Sequence, residues 1–184
     1  MGRLLDAHDP MPAMVLNTGW NVLQLNRGAC WLVSTLMPWA NPMLPDLPHC
    51  QPSTDSLNLL DAMLHAEGLL RNITNLAAVA PALLAHLRND AMVVPELAQR
   101  VEQLAANVEQ RLGKKPLTPW LHQVVPVLTT RFATAYGELA FFSMFSTFGT
   151  PQDITLASLR VEHLFAADAL TQAVIATQVQ LELP

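Results

Sequence analysis

The run Gly137 to Phe148, GELAFFSMFSTF, limits the possible folds more than any other stretch. Its side chains alternate as those of a strand do, yet both faces are apolar: Leu139, Phe141 and Phe145 on one, Ala140, Phe142, Met144 and Phe148 on the other. A strand of this kind needs cover on two sides, so helices are expected on one face and a further layer, a second copy or an adjoining domain, on the other. Alternation alone leaves open which face looks into the core. After the turn GTPQD comes a second run, Thr155 to Phe165, which completes a hairpin. There Leu159, Val161, His163 and Phe165 alternate with Ser158, Arg160, Glu162 and Leu164, so the pattern predicts that His163 points inward with the apolar set. Two roles for His163 stay open: a buried neutral histidine bonded to a carbonyl or hydroxyl, or a polar anchor in a pocket for a ligand with an oily body and a polar head.

The rest of the chain supplies the partners of this hairpin. In PAMVLNTGWNVLQLN, two β-type runs flank Asn17-Thr18-Gly19, where Gly19 is expected to take the positive φ of a tight turn. Beyond it, Leu23 and Leu25 are expected on one face and Trp20, Val22 and Gln24 on the other. RGACWLVSTLM reads as a short helix ended by Pro38. Prolines 38, 42, 45, 48 and 52 then argue against regular structure, leaving a partly apolar loop that is a candidate lid.

Three helices follow. Leu57 to Glu67 has Asp55 or Ser56 as N-cap candidates and Gly68 as its stop; Leu76 to Asn89 contains Pro81, expected to kink it or mark a new start; Pro95 to Gly113 carries Leu97, Val101, Leu104, Val108 and Leu112 on one stripe. A strand from Val124 to Ala135 precedes the hairpin, and Asp168 caps a last helix from Ala169 to Gln180. This order lacks a βαβ rhythm and predicts an α+β domain spanning 1–184, with a five-stranded antiparallel sheet and helices packed mainly on one face.

Composition excludes several functions. With Lys+Arg 10 against Asp+Glu 15 and only GKK as a basic cluster, unaided nucleic-acid binding is not expected. Charged residues make up 14%, below the roughly 25% usual for a soluble domain, which suggests that part of the surface is covered, by a second copy as in a homodimer or by a further domain. Cys30 and Cys50 lack metal-type spacing and read as reduced thiols of a cytoplasmic protein. No apolar run is long enough to span a membrane, and Asp6 breaks a myristoylation pattern at Gly2. GxSxG, P-loop, GxGxxG and HExxH motifs are all missing, and the six histidines are scattered, so neither an enzyme nor a metal site nor a cofactor is expected.

Three segments, PAMVLNTGWNVLQLNRGA, NLLDAMLHAEGLLRNITNLAAVAPALLAHLRND and FFSMFSTFGTPQDITLASLRVEHLFAADALTQAVI, together resemble the C-terminal domain of MmyB-like helix-turn-helix (XRE-type) transcriptional regulators of bacteria. Phe148 to Asp168 is the most specific part of the match. Two departures are Leu76, where the family often has Trp, and HAEGL at 65–69, where it often has His-Pro-Asp-Gly-Leu. The resemblance implies a PAS-like sheet around an oily pocket, with fatty-acyl molecules as plausible ligands and no catalytic residues to carry over. It also implies DNA contact only through a helix-turn-helix domain not contained in this chain.

The pocket candidates are Leu23, Leu25, Phe132, Phe141, Phe145, Leu159 and Val161, with His163 or Arg131 meeting a carboxylate or carbonyl head. The expected function is a dimer-forming sensory domain that binds a small apolar ligand. The alternative is a PAS-like dimerisation domain filled by its own side chains.

Overall fold

The computed structural model describes residues 2–44, 57–113, 128–147 and 159–181. Five strands form one antiparallel sheet in the order β2-β1-β5-β4-β3: β1 Ala13–Asn17, β2 Val22–Leu25, β3 Thr129–Thr134, β4 Gly137–Thr147 and β5 Leu159–Ala166. Around it lie α1 Gly2–Asp6, α2 Arg27–Leu36, α3 Leu59–Leu64, α4 Leu69–Asn72, α5 Leu76–Val93, α6 Ala98–Leu112 and α7 Ala169–Leu181. None of the described helices is long and apolar enough to cross a membrane. The fold is α+β, as the element order predicts.

The sheet has two unequal faces. Met14, Leu16, Val22, Leu25, Leu139 and Phe141 join the main core with α2 to α7, while Ala13, Val15 and Val161 form a small second core beneath Leu5 of α1. The second face is thus covered over β1 and β5 by the chain's own first residues. That cover is missing from the sequence reading, because five residues of α1 carry too little periodicity to be recognised. Further along the same face cover is thinner: Phe142 stacks on Phe165 at 5.1 Å, and Met144 remains 51% exposed.

Asparagines set the helix starts and tie distant segments together. Asn26 Oδ1 accepts from Ala29 N (2.9 Å), capping α2, and from Ala13 N (2.8 Å), while its Nδ2 donates to Met11 O (2.8 Å) and Leu5 O (3.3 Å). Asn58 Oδ1 caps α3 through Leu60 N (2.9 Å), and its Nδ2 donates to Gly19 O (2.8 Å) and Asn21 Oδ1 (2.9 Å). Asn58 therefore takes the capping role expected of Asp55 or Ser56, which lie outside the described residues.

Other local expectations need correction. Trp20, not Gly19, adopts positive φ (64°) in the first hairpin, held as its Nε1 donates to Asp90 Oδ2. Prolines 38 and 42 lie within a short 3-10 helix, Pro38–Met43, whose first position tolerates a missing N–H. Gly68 opens α4 instead of simply ending α3. A Cβ on it would fall inside van der Waals contact of the Ala62 carbonyl oxygen, so only glycine fits there. Helix α5 runs on from Leu76 to Val93 with Pro81 inside it. Gly113 ends α6 in the left-handed conformation, φ 68°, as expected of a C-cap glycine. The strand start at 124–127, the turn at 149–153, most of the proline loop and Cys50 lie outside the described residues; Cys30 is buried in α2.

Candidate functional site

Between the main face of the sheet and helices α2 to α5 lies a cavity of about 540 Å³. Helical spacing brings its upper wall together: Ala29, Leu32, Val33 and Leu36 fall on one side of α2, and Val79, Leu83 and His86 on one side of α5. Met63 of α3 and Leu69 and Leu70 of α4 extend that wall. The floor is the inward set of the strands: Phe132 on β3, Phe141 and Phe145 on β4, Leu164 on β5 and Met14 on β1. Fourteen hundredths of the chain being charged, a wall this apolar is easily made; a cavity within it is the unusual part. Its volume falls in the range of about 300–1,000 Å³ typical of small-molecule sites.

One end of the cavity is polar. His86 stacks on Phe145 (centroids 5.2 Å, planes 20° apart) and meets the edge of Trp20 at 5.8 Å. Asp90, one turn on from His86, accepts from Trp20 Nε1 (2.9 Å) and Arg160 Nη1 (2.7 Å). The Arg160 guanidinium lies 4.0 Å from the centre of the Trp20 ring and 5.4 Å from that of Phe145. Arg160 borders a smaller cavity of about 170 Å³, together with Asp90 and Thr147. Glu162, two residues along β5 on the same face, lines the large cavity. Loss of water pushes its carboxyl up to about 7, against the opposing pull of the Arg160 charge and the Ser143 hydroxyl. Among the described residues no group of three or more His, Cys, Asp and Glu side chains is arranged to hold a metal ion.

A sheet roofed by helices over an apolar cavity offers a place for a small molecule. Comparison with protein families finds that the MmyB-like transcription regulator ligand binding domain matches residues 1–177. The chain belongs to this family. A comparison with curated proteins finds no match. The MmyB-like domain is the ligand-binding part of transcription regulators, and the cavity of about 540 Å³ lies against its main core.

The MmyB-like domain distributes the nine residues expected at the pocket over four environments. Phe132, Phe141 and Phe145 line the cavity. Leu25 is buried in the main core but does not line it. Leu23 lies on the opposite face: pairing shifts from Val15↔Gln24 to Leu16↔Val22, and the bulge sends Leu23 and Leu25 to different sides. Leu159 and Val161 belong to the second core.

His163 is buried, at 7% exposure, but on that same second face, with its ring 4.9 Å from His8. Burial, and then the His8 charge, lowers its pKa. Arg131 is exposed and pairs with Glu138 at 3.0 Å. The expectation of His163 or Arg131 at a ligand head group is therefore corrected: neither faces the cavity. Charged residues on β5 were expected to mark the outer side, yet Arg160 and Glu162 face the helices, where Asp90 supplies Arg160 with a part-buried counter-charge. The sequence did hold a signal for this end of the cavity. His86 and Asp90 continue the α5 stripe of Val79 and Leu83, where two polar residues among apolar ones imply a buried polar partner.

Proposed function

We propose that this chain is the sensory, dimer-forming domain of a bacterial transcription regulator, and that a small apolar, fatty-acyl-like molecule occupies the cavity between sheet and helices. The observation that carries this reading is the 540 Å³ cavity walled mainly by leucine, valine, methionine and phenylalanine side chains, with few polar residues among them. A hydrocarbon chain gains about 0.8 kcal/mol for each methylene buried, which suits such a wall. Binding would act by favouring one packing of α2 and α5 against the sheet over another, since a ligand shifts an equilibrium only through different affinities for its two states. DNA contact belongs to a helix-turn-helix domain outside these 184 residues, in a cytoplasmic protein without catalytic activity.

A second reading has its own support. Met144, with Phe142 and Phe165 stacked beside it, leaves apolar surface on the outer face that a second copy would cover. On that reading the domain only dimerises. Native mass spectrometry of the purified chain, followed by denaturing extraction, separates the two. A co-purified acyl molecule supports the sensor. An empty dimer whose melting point is unmoved by fatty acids of any length supports dimerisation alone, because a ligand binding only the native state must raise that midpoint.

A further inference from the structure

Two neighbouring residues, His8 and Asp9, join opposite sides of the cavity from outside it. His8 Nε2 lies 3.0 Å from the Leu164 carbonyl oxygen on β5. A carbonyl only accepts, so this ring nitrogen carries the proton and donates. The next residue turns to α2: Asp9 Oδ1 accepts from Gly28 N and Oδ2 from Arg27 Nε, each at 3.2 Å. Pro10 follows so close to that helix that a Cβ on Gly28 would come to 2.1 Å from the Pro10 carbonyl oxygen.

Both anchors continue into the cavity. The Leu164 side chain is part of its floor, and α2 supplies Ala29, Leu32, Val33 and Leu36 to its wall. The His8–Asp9 bridge therefore spans the spacing between floor and wall that a guest has to fit. The bridge itself is lightly held. Between Gly2 and Met11 only Leu5 is buried, and Asn26 secures the segment on either side through Leu5 O and Met11 O. Residues 7–10 can then open locally while the sheet stays folded.

We propose that the His8–Asp9 bridge is an element with a docked and a lifted state, whose equilibrium is coupled to occupancy of the cavity. This rests on the cavity being the ligand site. Docked, the bridge holds the Leu164 backbone and the first turn of α2 in one arrangement; lifted, it leaves floor and wall free to shift. A guest shaped to the docked arrangement holds the bridge down, and the bridge tightens the guest by the same factor, since coupling between two sites is reciprocal. Two residues outside the cavity lining thus regulate what the cavity holds.

Hydrogen exchange of residues 7–11 with and without tetradecanoic acid, alongside calorimetric titration of that acid, tests it. Saturating acid is expected to slow exchange of this segment about tenfold, within the usual range of coupling, while the β3–β4 turn at 134–137 stays unchanged. His8→Phe keeps a ring against His163 and Phe165 but cannot donate to Leu164. It should speed exchange of the segment in the free protein about fivefold, the effect of one hydrogen bond. The double variant His8→Phe with Asp9→Ala loses both side-chain anchors, so its bridge is lifted without a guest. It should bind the acid more weakly, by the same factor as the acid slows exchange in the wild type. Acid that binds and protects α2 yet leaves residues 7–11 unchanged would overturn the coupling while keeping the cavity as a lipid site. So would a double variant whose segment exchanges as slowly as that of the wild type, or one that binds the acid equally well. No binding by the wild type would remove the ligand reading itself, and the coupling with it.

Discussion

Replacing Asn26 by alanine probes how the first residues are held onto the outer face of the sheet. The change removes four hydrogen bonds: two accepted from Ala13 N and Ala29 N, two donated to Leu5 O and Met11 O. Loss of the α2 cap alone is worth about 1 kcal/mol. Leaving the Ala13 N–H and the two carbonyls without partners in a site where Asn26 is 4% exposed adds about 1–3 kcal/mol for each group that water cannot reach. With water reaching some of them, a total of about 4 kcal/mol follows, a large share of the roughly 5–15 kcal/mol by which domains are stable. At about 2–4 °C per kcal/mol for a chain of this size, the melting point should fall by roughly 8–16 °C.

Urea and thermal unfolding measure this directly. Asn26→Asp sharpens the test, since it keeps both acceptors but turns an oxygen toward the Leu5 and Met11 carbonyls, and should recover little. Hydrogen exchange at α1 should rise in both variants. An Asn26→Ala protein melting within about 3 °C of the wild type, or Asn26→Asp matching the wild type, would refute the idea that this side chain ties α1, β1 and α2 together.

Three further outcomes follow from the same contacts. Glu162, raised from 4.5 to about 7 in the native state, contributes stability that is complete below about pH 4.5 and lost as pH rises through 7, an effect of about 3 kcal/mol. Glu162→Gln should therefore melt above the wild type near pH 8 and converge with it in acid; a constant difference across pH would count against a buried carboxyl. The lowered pKa of His163 works in the opposite direction: its contribution is present above the ordinary histidine value and lost as pH falls through the native one. The His163→Phe protein should accordingly lose less stability than the wild type on acidification below about pH 6.5, read as the difference between their melting curves. Gly68→Ala should destabilise by more than about 2 kcal/mol, because the new methyl meets the backbone of Ala62 and His65. Unfolding in urea gives the value, and a neutral result would mean that α3 and α4 move apart at little cost.

What the sequence disclosed and what it hid have physical reasons. The antiparallel sheet was legible because β4 is a long β-type run, apolar on both faces, beside the alternating β5, and α6 because Val101, Leu104 and Val108 repeat on one stripe. Phe141 and Phe145 could be grouped together on one face, but not oriented. Orientation failed at β5, where the rule that charges face water meets an exception: Arg160 is balanced by Asp90, seventy residues away in the chain. A partner that remote leaves no mark on local alternation. Leu23 was misplaced by a single bulge residue, which shifts every alternation argument past it. Trp20 took the left-handed turn position from Gly19 because its indole is held by Asp90, a tertiary contact that outweighs the intrinsic preference.

The strand order also sets a timetable for making the protein. The first strand leaves the ribosome early, but it lies between β2 and β5, and the outer-face bond from His8 to the Leu164 carbonyl joins residues 156 apart in sequence. At about 5–20 residues per second, synthesis takes roughly 8–30 s to supply the second partner after the first has been made. During that interval β1 presents an open edge, and Glu162 and Leu164, part of the cavity floor, have not yet been translated. A nascent chain therefore has no complete chamber for a guest, and any acyl molecule recovered from it entered after, or together with, the docking of the last strand.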